Sequence, residues 1–195
     1  MEEKRYQSSD TASFRSKIEF TNRQNELLDR IGMDLLMDYD EEIAADYEGL
    51  YRYIGDYAVT HRLLNTSIAL PVVRGLLLSE SENFVKIRED ALENYKHALA
   101  VCHMLIDLHL PLFKEELDIT LASALCHVLV ESIAFPDNGQ ELVTRFYLDE
   151  RVRDVVLLVT HDGMTSDAEK KYFYGQIQEN NYALLVKLAA RGNII

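Results

Sequence analysis

Helix breakers are scarce along this chain, and that scarcity limits its fold more than any other feature. Only 3 prolines and 8 glycines occur in 195 residues, so long helices can run between few interruptions. The apolar residues follow the same geometry. Leu27, Leu28, Ile31 and Leu35 recur at helical spacing, as do Ile43, Tyr47, Leu50, Ile54, Tyr57 and Ala58, the stripe an amphipathic helix turns towards a core. No segment alternates apolar and polar residues as a half-buried strand would. Even the β-branched cluster Val152, Val155, Val156 and Val159 has helical spacing. The expected fold class is all-α.

Residues 1–20 are polar, and Ser8, Ser9, Asp10, Thr11 and Ser13 compete with the backbone for hydrogen bonds, so this stretch is expected to be a flexible arm. A single all-helical domain is expected over 21–195, with N-terminal helices in 21–80 and a denser core in 84–195. Leu63, Leu64, Ile68 and Leu70 open a third helix, which Pro71 should kink or restart. Further helices are expected at 84–109, 114–134, 139–147, 149–161, 167–179 and 181–191. Breaks fall at Pro111, at Pro136-Asp137-Asn138-Gly139 and at His161-Asp162-Gly163.

Lys and Arg total 20 against 33 Asp and Glu, a net charge of −13. Such a surface repels phosphate backbones and anionic lipid, which argues against nucleic acid and membrane as partners. No apolar run approaches the ~18 residues of a membrane span, and the polar start Met1-Glu2-Glu3-Lys4 has no apolar signal region. Cys102 and Cys126 both sit in apolar helical patterns and read as small buried hydrophobes, which suits a reducing cytoplasmic compartment.

Three blocks carry a resemblance. Arg88 precedes His97 by nine positions within a helical segment. Leu121-Ala122-Ser123-Ala124-Leu125-Cys126-His127-Val128-Leu129-Val130-Glu131-Ser132 follows, and Leu184-Leu185-Val186-Lys187-Leu188-Ala189-Ala190-Arg191-Gly192-Asn193 closes the chain. In order and separation, these blocks resemble the HD-domain phosphohydrolases, specifically the RelA/SpoT-type guanosine polyphosphate hydrolases, over residues 84–195. The resemblance implies an HD-like helical bundle. It also implies a divalent cation, usually manganese, held by two His and two Asp and activating water for attack on phosphate.

On that resemblance His97 and His127 match the two imidazole ligands. Val128 and Ala190 stand where the family has its two aspartates, and neither an isopropyl nor a methyl group can coordinate a cation. Glu131 matches one member of the catalytic acid pair, while Ser132 replaces the other and cannot act as a carboxylate base. The resemblance places Arg88 against a guanine base and Lys187 and Arg191 near the nucleotide; the family's final Asn falls on Ile194, and a one-residue offset makes it Asn193. A degenerate, catalytically inactive hydrolase is therefore expected, retained for binding a guanine nucleotide or alarmone, for regulation or for assembly. No cofactor is expected, or at most a weakly held cation such as manganese.

Bland readings stand beside these. Arg88 can pair with a neighbouring acid on a solvated helix, and Lys187 and Arg191 can complement the last helix dipole. His61, His103 and His109 read as structural or surface residues, and His161-Asp162 as a helix-end dipeptide rather than a metal pair. Two alternatives differ in kind. One is an active phosphohydrolase with substitute ligands drawn from Asp107, Glu131 or Asp162. The other is an interaction module in which residues 21–78 supply a partner-binding or self-associating helical surface that includes Tyr47, Tyr51, Tyr53 and Tyr57.

Overall fold

A computed structural model describes residues 47–78, 91–132, 139–160 and 166–192. These form eight helices and no strand: α1 (Glu48–Thr60), α2 (Leu64–Leu78), α3 (Ala91–Asp107), α4 (Lys114–Ser132), α5 (Gln140–Thr144), α6 (Glu150–Val159), α7 (Asp167–Glu179) and α8 (Asn181–Gly192). The N-terminal arm, the Leu27–Leu35 stripe, Arg88, His161-Asp162, Asn193 and the side chains of Glu131 and Ser132 lie outside the described residues.

α4 is the axis of the fold. It packs against α2, α3, α6 and α8, and every side chain from Asp118 to Leu129 is buried. A helix surrounded on all sides needs apolar residues on all sides, which is why Leu121, Leu125, Val128 and Leu129 share it with Ala122, Ala124 and Cys126. α1 lies on α2 and α3, whereas α7 packs mainly on α8, with a smaller contact to the edge of α6. No described helix is long and apolar enough to cross a membrane.

The first turns of α2, α4 and α6 meet at one end of the bundle. Asp118 accepts hydrogen bonds from the backbone N–H groups of Asn65 (2.9 Å) and Thr66 (2.8 Å), and from the Asn65 amide (3.0 Å) and the Thr66 hydroxyl (2.9 Å). Asn65 Oδ1 in turn accepts the Asp149 N–H at 2.8 Å, and Asp149 caps α6 by accepting the Arg151 N–H at 2.9 Å. Unpaired N–H groups and positive helix-dipole ends are thus met by carboxylates.

The periodicity locates the elements and misplaces some ends. α7 occupies its expected span, and the structure shows a Ser166–Glu169 capping box at its start. α5 is shorter than the expected 139–147. Arg145 and Phe146 both bond Glu141 O, Tyr147 turns to φ 58°, and Leu148 N–H returns to Leu142 O. α3 ends at Asp107 rather than 109, where His109 takes φ 47°. α6 is trimmed at both ends because Asp149 and Thr160 serve as its caps. Pro71 starts no new helix. It lies inside α2, whose flanking Leu70, Val72 and Val73 are fully buried, so tertiary packing offsets the missing N–H.

Candidate functional site

α3 and α4, joined through the turn at residues 108–113, lie side by side and bring His97 and His127 together. Their ring centroids are 5.2 Å apart, with the planes at 66° in an edge contact. His127 is buried because the central helix is buried, and His97 is half-buried.

His127 Nδ1 lies 2.7 Å from Ala124 O. A carbonyl only accepts, so Nδ1 carries the proton and Nε2 keeps its lone pair. Burial holds His127 in the neutral form and pushes its pKa down to about 4. Positive charge on His97 or Lys187 acts in the same direction, and the bond to Ala124 opposes it. Burial also lowers the pKa of His97. The pair is two neutral imidazoles at physiological pH.

The positions that the resemblance assigns to carboxylates are apolar in space as well as in sequence. Val128 is 1% exposed within the core, and Ala190 packs half-buried against it. Among the described residues, no group of three or more His, Cys, Asp or Glu side chains is placed to hold a metal ion. Among the described residues the two neutral nitrogen donors have no anionic ligand with them, and such a pair alone does not fit a hard divalent cation, whose charge stays uncompensated in a low-dielectric site.

Asp107 does not serve as a substitute ligand. It lies ten residues beyond His97 on the same helix, about 15 Å along the axis. There it meets His103 Nε2 at 3.5 Å and the Tyr53 hydroxyl at 3.4 Å.

The two cations of α8 are engaged locally. Lys187 Nζ donates to Val159 O at 2.8 Å, satisfying a carbonyl at the end of α6, and lies 5.7 Å from the Phe173 ring centroid. Arg191 donates to the Tyr174 hydroxyl and places its guanidinium 4.8 Å from the centre of that ring. These contacts cross between helices, and no local sequence signal announces them.

Two further residues escape a reading by sequence. Ser123, one turn before His127, is fully buried, and its hydroxyl has no hydrogen-bond partner among the described residues. Asp118 looks like a surface acid by composition, yet it is 7% exposed. The tyrosines of α1 divide: Tyr51 is core at 2% exposure and Tyr53 is open at 43%. Tyr47 packs edge-on to Tyr95, and Tyr57 stacks on His61. The aromatic set is thus mostly internal packing.

No family model, curated protein or solved structure matches the chain.

Proposed function

We propose that this protein is a degenerate HD-type phosphohydrolase domain of the guanosine polyphosphate hydrolase kind, catalytically inactive and kept for guanine nucleotide binding, regulation or assembly. The observation that carries this reading is the juxtaposition of His97 and His127, their ring centroids 5.2 Å apart on neighbouring helices. Two histidines converging from separate helices are the remnant expected of a four-ligand centre that has lost its carboxylates. With aliphatic side chains at positions 128 and 190 the site lacks the two carboxylates that would hold a cation able to lower the pKa of a bound water, and hydrolysis at neutral pH loses its nucleophile. The two buried free thiols suit a reducing compartment, and we place the protein in the cytoplasm.

Elemental analysis of the purified protein, paired with an assay for pyrophosphate release from guanosine tetraphosphate, tests this reading. The expected result is far less than one manganese, iron or zinc ion per chain and no turnover. One ion per chain with metal-dependent hydrolysis contradicts it.

A further inference from the structure

α7 is attached to the rest of the fold by little. Of its 13 residues only Phe173 and Ile177 are buried, and it begins with its own capping box, so its helical turns depend less than most on neighbours. A helix held by few buried side chains opens locally before the protein unfolds.

The helix it covers is electrostatically unusual for this chain. α8 carries Lys187 and Arg191, one turn apart, and no acidic residue, in a protein of net charge −13. Neither cation pairs with a carboxylate among the described residues. Their partners are a carbonyl oxygen, a phenol and two ring faces, and α7 supplies all but the carbonyl. Neutral partners leave the charges uncompensated, and a phosphate group would give both side chains stronger, charge-assisted bonds.

We propose that α7 is an autoinhibitory lid on a diphosphate-binding pair, Lys187 and Arg191, with Phe173 and Tyr174 competing against the anion for those two cations. The proposal rests on the nucleotide-binding part of the reading above and adds its regulation. A ligand that needs Arg191 released from Tyr174 binds the undocked state better, so it shifts α7 away from α8, and loosening α7 tightens the ligand. The anion is defined here by its diphosphate group, whether free or carried on a nucleoside.

The test is calorimetric titration of the full chain with inorganic pyrophosphate, read together with hydrogen exchange of the α7 amides. Ile177→Ala weakens lid docking without touching either cation and should tighten pyrophosphate binding by about fivefold or more, by removing the cost of undocking. Tyr174→Phe releases Arg191 from its hydrogen bond without opening a cavity and should act in the same direction, so the test survives if Ile177→Ala does not fold. Lys187→Gln with Arg191→Gln should abolish binding, and pyrophosphate should speed exchange across 167–179. Affinity unchanged in both lid variants, slower α7 exchange on binding, or binding that persists in the Gln double variant overturns the proposal. A parallel titration with GDP separates the two sources of the group: tighter binding of GDP assigns it to a nucleotide, and equal binding assigns it to the free anion.

The lid and the degenerate centre fail separately. Metal rescue at positions 128 and 190 reports on the centre alone, and α7-dependent pyrophosphate binding reports on the lid alone.

Discussion

The Asp118 carboxylate on α4 accepts both the backbone N–H and the hydroxyl of Thr66 on α2, at 2.8 and 2.9 Å, so one helix caps the next from the side. The same carboxylate also takes two bonds from Asn65. This is the most heavily bonded polar side chain among the described residues of the core, and it fixes where α2 starts relative to the central helix.

Replacing it should therefore be costly. Asp118→Ala strands two backbone N–H groups and two side-chain donors at a largely buried site, and a loss of about 2–4 kcal/mol follows from the cap and the unmet donors together. Asp118→Asn keeps the shape and some acceptor capacity and should lose less. Urea denaturation of the two variants reads the difference, and equal stability of Asp118→Ala and wild type would remove the cap from the account.

His127 makes stability depend on pH in a defined direction. Its ordinary pKa is 6.5 and the folded value is about 4, so the unfolded chain binds the proton more readily. The contribution is complete above pH 6.5 and is lost as pH falls from 6.5 towards 4. The shift corresponds to about 3 kcal/mol over that window. His127→Gln should flatten the slope of stability against pH between those limits. A slope unchanged by the substitution would mean that another group titrates there.

The cysteines give a prediction of a different kind. Cys102 and Cys126 are fully buried, and burial drives both thiols well above their ordinary range. The thiolate is the reactive form, so neither should react with a thiol reagent in the native protein, and two should react after denaturation. Rapid labelling of either thiol under native conditions would contradict their placement in the core.

How much of this was legible in the sequence depends on how far apart the interacting residues are. The span of α7 follows from the break at His161-Asp162-Gly163 and the periodicity after it, and the Ser166 and Glu169 capping box that the structure shows at its start is equally local. The end of α5 depends on bonds from Phe146 and Leu148 back to Glu141 and Leu142 and on a positive φ at Tyr147, which periodicity does not encode. Pro71 reads as a breaker, but a helix packed this closely into the core overrides local preference. Asp118 and Asn65 lie 53 positions apart, and nothing in either segment names the other. The histidine pair was accessible through the block pattern alone, while the partners of Lys187 and Arg191 were hidden because each sits on a different helix.

The apolar site itself predicts the effect of a single carboxylate. Val128→Asp places an unpaired charge in the core, and the variant should lose about 3–5 kcal/mol of stability or carry a protonated acid. Urea denaturation near neutral pH checks this. A fully stable variant with an ionised Asp at position 128 would mean that the site is wetter than the burial of Val128 allows.

The most direct measurement of the central claim is a thermal melt of the double variant Val128→Asp, Ala190→Asp with and without excess manganese. Two carboxylates with His97 and His127 supply four ligands and the compensating charge, so cation binding should stabilise the folded state by mass action. The account predicts a rise in Tm with manganese in the double variant and none in the wild type or either single variant. No manganese-dependent rise in a folded double variant would contradict the claim that His97 and His127 are the remains of a metal centre.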